Sequence, residues 1–435
     1  MKNKSDKINR RNFIKTVTAA GITPSLAAVS NVLASAEPNQ PAEPNQPAEP
    51  NQPVDPNAVQ QNTTPQVPQR ELGKTGAKVS CLMQGGDFSF IDKQIVLRRA
   101  VDWGVTSWDT AWMYGGRGNA ELGFGQFISR NPGVREKLFI TTRSAIMRPP
   151  IDPAVLEERL QTSLKRMNIE YVDVYHVAHA LTDPATLTDE VKQWVESAKE
   201  RKLIRYTGFT THSNMANCLT AAVKLGWIDT VMTLYNFRLM QDSQMQAAIE
   251  TCYKAGIGVV AMKALSSGVR RLQAIETDAD KKLTSNFLEK GFTDGQAKIK
   301  AVMQDERISS VCVGMDSVAL LSSNVAAALD KTELSQTDMA VLSEYAKATC
   351  SGYCAGCSQI CDTALGGNSY VRDIMRYLMY YNSYGDRDRA RAFFAEIPSD
   401  VRNRLLTTDY SLAESRCPQR MPIREYIAEA VSKLT

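Results

Sequence analysis

The chain has 435 residues, with 51 lysines and arginines against 47 aspartates and glutamates, a net charge of +4. So small and scattered a surplus gives no footing for nucleic-acid binding. The length exceeds what one hydrophobic core usually supports, so one large domain with a smaller appendix is expected.

The N-terminus reads NRRNFIK, Asn9 to Lys15, followed by a weakly apolar run to about Leu33 and then Ala34-Ser35-Ala36. Paired arginines ahead of such a run, with a small-x-small site after it, mark residues 1–36 as a twin-arginine signal peptide. Gly21 and Pro24 interrupt the run, which is too short and too polar to remain as a stable membrane span. The folded protein is therefore expected in the periplasm or otherwise exported, with the twin-arginine export machinery as a partner. That route carries folded, often cofactor-loaded chains. From Ala36 the text AEPNQP repeats three times, and Pro- and Gln-rich sequence continues to about Gln69. With no apolar residue larger than valine, residues 37–69 are expected to form an extended linker.

From Val79 onward, short β-branched runs alternate with longer amphipathic segments. The runs VSCLM (79–83), TSWDT (106–110), KLFITT (137–142), YVDVYHV (171–177), YTGF (206–209), TVMTLY (230–235), GVVAM (258–262) and SSVCVG (309–314) read as strands. Eight such βα units over residues 70–332 predict an α/β fold, a (β/α)8 TIM barrel. A doubly wound sheet is the alternative, but no predicted strand runs into GxGxxG. Functional residues are expected just beyond the strand ends.

Four stretches resemble the aldo-keto reductases: ELGKTGAKVSCL (71–82), WDTAWMYGGRGNAELGFG (108–125), GIGVVAMKALSSG (256–268) and VGMDSVALLSSNVAAAL (313–329). The resemblance covers about residues 70–330. It implies hydride transfer between a bound nicotinamide cofactor, NAD(P), and a small carbonyl or alcohol substrate. It places Asp109 and Tyr114 in the catalytic set, with Tyr114 as the acid; a free phenol has a pKa near 10, so a cation must assist it. The family's lysine is here Arg143, which keeps the charge but cannot release a proton. The family's histidine position is Ala178, flanked by His176 and His179. Of these His179 is the candidate, provided a bulge turns it toward the site. Thr210 and Thr211 are expected at the carboxamide, Met262 against the nicotinamide, Leu265, Ser266 and Gly268 around the pyrophosphate, and Asn324 at the adenine. Met232 stands where a carboxamide-binding glutamine is common. Asp316 stands where a cation would grip a 2′-phosphate, so a preference for the phosphorylated cofactor is unsupported.

Beyond Asp330, residues 333–435 are expected to form a mainly helical C-terminal module. Cys350-x3-Cys354-x2-Cys357-x3-Cys361 is close to a ferredoxin run, and Cys417-Pro418 supplies a remote Cys-Pro. The spacing favours Cys354, Cys357, Cys361 and Cys417 as ligands of a [4Fe–4S] cluster, with Cys350 as a substitute. Zinc is an alternative, although two separated CxxC pairs are missing. Disulfides are another, although so close a spacing seldom gives good bridge geometry. The amphipathic block from Val371 to Pro398 is expected to pack on the barrel and cover its site. A subset of aldo-keto reductase-like proteins carries such a cysteine-bearing region, and this chain looks like an exported member. The expected function is an oxidoreductase whose cluster passes electrons to an electron-transfer partner. The alternative is an altered barrel serving as an electron-transfer or binding subunit without nicotinamide chemistry.

Overall fold

In the computed structural model, residues 64–435 are described, apart from 147–148, 267, 270–276 and 368. The expected signal peptide and nearly all of the expected linker lie outside the described residues. Val67 is already buried and donates its N–H to the Trp103 carbonyl, so packed structure begins just before Arg70.

Ten strands are numbered in chain order. β1 (Gln69–Glu71) and β2 (Lys78–Ser80) form an antiparallel hairpin. The other eight are β3 (Leu82–Gly85), β4 (Ser107–Asp109), β5 (Phe139–Arg143), β6 (Val172–Leu181), β7 (Ile204–Thr211), β8 (Thr230–Leu234), β9 (Gly258–Met262) and β10 (Ser310–Gly314). These eight close into a parallel barrel, β10 pairing with both β9 and β3. Helices follow the strands, so the architecture is a (β/α)8 barrel. The predicted strand 79–83 is divided at Cys81, whose N–H donates to Pro68. Its first part belongs to the hairpin and its second part opens the barrel.

The hairpin stoppers one end of the barrel. Leu72, Ala77 and Val79 pack with Phe139, Val174 and Val260 from inside it. Local signals set the surrounding helices. Pro153–Met167, for example, begins with Asp152 accepting from the Ala154 N–H and with proline at its first position. β6 departs most from its prediction: it runs ten residues, with register slips between His176 and Ala178 and again between Ala178 and Leu181.

The C-terminal module has its own core of Ile374, Leu378, Phe393, Phe394 and Ile427. Within the helix Val371–Met379, residues 371, 374, 375 and 378 form a buried apolar stripe, and Tyr377 and Met379 are buried beside it. Val269 from the barrel joins this core, so module and barrel share apolar packing. No helix among the described residues is long and apolar enough to cross a membrane.

Candidate active site

A cleft of about 700 Å³ opens where the barrel strands end. At its floor, Asp109 ends β4 and Arg143 ends β5, and the two side chains form a buried ion pair. Arg143 also donates to the Met232 sulfur at 3.5 Å. Burial pushes the Asp109 carboxyl up to about 6, against the pull of Arg143. Burial likewise opposes the Arg143 charge, yet Asp109 and Tyr114 hold the guanidinium above its ordinary value.

Tyr114 follows β4 and lines the same cleft. Arg143 and Arg389 each stand 5.5 Å from its ring centre. Burial nevertheless raises its phenol above the ordinary tyrosine value. The irregular register of β6 carries His179 to the Tyr114 ring, edge-on at 5.5 Å, and 6.3 Å from His212, nearly parallel to it. His176 sits deeper, with one ring nitrogen 3.3 Å from the Thr230 hydroxyl and the other 3.1 Å from that of Thr210. Ala178 is buried in the wall. Burial, with Arg143 nearby, keeps all three histidines well below their usual pKa and therefore neutral.

Several residues at the cleft escape sequence reasoning. His212 and Lys263 line it from just beyond β7 and β9, Cys312 from β10, and Tyr380, Ser383, Tyr384 and Asp386 from the module. A signal existed for His212, one of only three histidines and one residue past a strand. None existed for Tyr380, which is distant in sequence from every barrel motif.

A model of the Aldo/keto reductase family matches residues 82–347. The chain belongs to the aldo/keto reductase family. It is similar to L-glyceraldehyde 3-phosphate reductases of two Escherichia coli strains, O157:H7 and K12, at 25% and 24% identity over 320 residues. Those matches cover 63% of this chain and 92% of each relative. It is also 25% identical over 241 residues to the aldo-keto reductase AFTS1 of Alternaria alternata, covering 46% of this chain and 65% of that one. These relatives are reductases, and aldo/keto reductases use NAD(P).

The expected cofactor positions of this family member divide in two. Met262 and Leu265 line the cleft. Asn324 is buried with its side-chain NH2 lacking a partner, a donor set that a bound base could satisfy. Ser266, at φ +57°, accepts from Arg238, and the Gly268 carbonyl accepts from the Ser383 hydroxyl at 2.6 Å. The threonines are engaged elsewhere. Thr210 meets His176, and the Thr211 hydroxyl is shared between the carbonyls of Leu181 and Ser213. Asp316 is at the rim, where Lys93 approaches its carboxylate to 3.6 Å.

All nine cysteines are free thiols. Cys354 and Cys357 lie in a loop, Cys361 in the short helix Ser358–Ala364, and Cys417 just after the helix Ser411–Arg416. Cys354, Cys361 and Cys417 pack on one apolar cluster. Burial first, then the neighbouring cysteines, pushes the Cys357 and Cys361 thiols up to about 12. Cys350 stands apart, beside Arg238. Among the described residues, no group of three or more His, Cys, Asp or Glu side chains is arranged to hold a metal ion. The loop is seated on the barrel mouth. Gly356, at φ +82°, lies where any Cβ would come within 2.3 Å of the His212 carbonyl. A small cavity lined by His212, Lys263, Cys354, Arg372 and Arg376 separates the cleft from the cysteines.

Proposed function

We propose that this chain is an exported aldo/keto reductase. It moves hydride between a firmly held nicotinamide cofactor and a small carbonyl or alcohol, and a [4Fe–4S] cluster on Cys354, Cys357, Cys361 and Cys417 exchanges electrons with a partner. The observation that carries this reading is the meeting of Asp109, Arg143 and Tyr114 with Met262 and Leu265 around one cleft. When bound, the nicotinamide supplies hydride and the cluster a one-electron path.

The remaining work falls to the chain's own side chains. Asp109 fixes Arg143, whose charge faces the end of the cleft where a carbonyl oxygen gains electron density. Tyr114 offers that oxygen a hydroxyl, and neutral His179 packs behind the ring. Met262 provides a flat apolar contact, and Asn324 a donor for the far end of the cofactor. The module covers the opening and restricts water. The cysteine set has the number and kind of donors a cluster needs. Burial first, then the neighbouring cysteines, raises the thiols of Cys354, Cys357 and Cys361, and binding of a cationic centre would reverse that shift. Nicotinamides are not freely supplied outside the cytoplasm, so cofactor retention under the module fits export of the folded protein.

A second reading rests on the engaged hydroxyls of Thr210 and Thr211 and on the raised Tyr114 phenol. It makes the protein an electron-transfer or binding subunit without nicotinamide chemistry. One preparation of exported protein separates the two through its iron content, its absorption spectrum and the nicotinamide released on denaturation. Iron together with about one nicotinamide per chain is expected. Protein that holds iron but neither contains nor binds NAD(H) or NADP(H) favours the second reading, and colourless, iron-free protein overturns the cluster.

A further inference from the structure

The module contributes more than cover. Its helix Val371–Met379 passes into a π-helical turn, Tyr380–Tyr384, closed by the Gly385 N–H donating to the Tyr380 carbonyl. Such wide turns recur at functional sites because they re-aim the side chains they carry. Here residues 382 and 383 grip the loop after β9: Asn382 donates to the Val269 carbonyl and Ser383 to that of Gly268. Residues 380 and 384 present their rings to the cleft, which Ser383 also lines. The Lys263 ammonium stands 5.4 Å from each of their ring centres, and the Arg389 guanidinium 4.5 Å from that of Tyr380.

We propose that Tyr380, paired with Lys263, is the proton donor of this site, replacing the tyrosine–lysine pairing that Arg143 breaks in the barrel. This rests on the reductase reading above. As the carbonyl carbon gains hydride from the nicotinamide, its oxygen takes the Tyr380 proton. The Tyr380 O–H bond breaks, an O–H bond forms on the product, and the phenolate left behind regains a proton from water. Tyr114 keeps a part in orienting the oxygen.

The surroundings suit such a phenolate. Lys263, Arg389 and Arg376 face it from three elements, Asp87 stands opposite, paired with Arg389, and Tyr384 and Asp386 lie beside it. Burial alone would raise the Tyr380 phenol, yet these cations outweigh burial and bring it below the ordinary tyrosine value. Burial opposes the Lys263 charge, but the two tyrosines hold the ammonium above its ordinary value. At Tyr114 the balance runs the other way, and the phenol is raised.

The test is an ultraviolet titration of tyrosinate in the full-length, cofactor-loaded protein, together with turnover of simple aldehydes. One tyrosine should ionise below the rest. That step should vanish in Tyr380→Phe, move up in Lys263→Met and persist in Tyr114→Phe. Tyr380→Phe should also lower kcat by roughly 10²–10⁴-fold, the usual worth of general acid catalysis, while bound nicotinamide stays at the native level. A low-ionising tyrosine that survives Tyr380→Phe overturns the proposal, as does a Tyr380→Phe variant with native kcat. A native protein that shows the low tyrosine but reduces no carbonyl sinks the reductase reading and the catalytic assignment with it. The titration distinguishes that case from a wrong choice of tyrosine.

Discussion

The barrel and the module solve the same problem, holding charge away from water, in opposite ways. In the barrel the charged pair is short-range: Asp109 and Arg143 end adjacent strands and pair directly with each other, while the Arg143 Nε is left without a partner. In the module the cations are spread over aromatic rings and reach far along the chain. Arg389 pairs with Asp87, 302 residues away, while stacking over Tyr380 and standing beside Tyr114. A direct pair makes a rigid floor. A distributed set of cations makes an environment that tunes whatever phenol enters it.

Four experiments would break or sharpen that contrast, from the largest expected effect to the smallest. Replacing Cys354 and Cys361 together with serine should abolish bound iron, as metal analysis reads it, while circular dichroism keeps the helical and strand signal of the barrel. Loss of the barrel signal as well would show that the two regions do not fold separately. Arg143→Met leaves a buried carboxylate without its partner and should cost roughly 3–5 kcal/mol in denaturant unfolding. Adding Asp109→Asn should recover part of that loss. If the double variant is no better than the single one, the floor is not a coupled pair.

The third concerns pH. With its folded value raised to about 6, Asp109 takes a proton as the pH falls through that value, and Arg143 loses its counter-charge. Turnover should therefore drop on the acid side of about 6, and the drop should be missing in Asp109→Asn. For stability the sign is opposite. A raised folded pKa favours the native state below the unfolded value near 4, and this contribution is lost as the pH rises through the folded one. The smallest effect is expected of Ser383→Ala. It removes a hydrogen bond to Gly268 and should cost about 0.5–1.5 kcal/mol in denaturant unfolding, with a slightly lowered Tm and faster nicotinamide release.

Barrel strands could be read from sequence because their signal is local. The run GVVAM at 258–262 is a strand residue for residue, a short continuous apolar run, buried on both faces, that can be seen without its partners. Asp109, Tyr114 and Arg143 were equally legible, since each sits at or just after a strand end. His179 required more. Its place depends on two slips in the register of β6, and a slip is a property of paired strands that single-strand alternation does not encode. Tyr380 depends on a π turn and on contacts across more than a hundred residues. In the sequence it is one of several tyrosines in an amphipathic block. The threonines that end β7 show the converse: the resemblance sets them at the carboxamide, but their hydroxyls are committed to His176 and to backbone carbonyls.

The hairpin plug has a kinetic consequence. With Leu72, Ala77 and Val79 filling the far end, the Asp109 chamber is reached from the end over which the module sits. A vestibule with a single door, shared by a large occupant and a small one, imposes a queue. A nicotinamide held beneath the loop that Asn382 and Ser383 tie down would enter first and leave last. Steady-state patterns should accordingly be those of an ordered sequence, with the carbonyl and its alcohol exchanging many times for each exchange of cofactor.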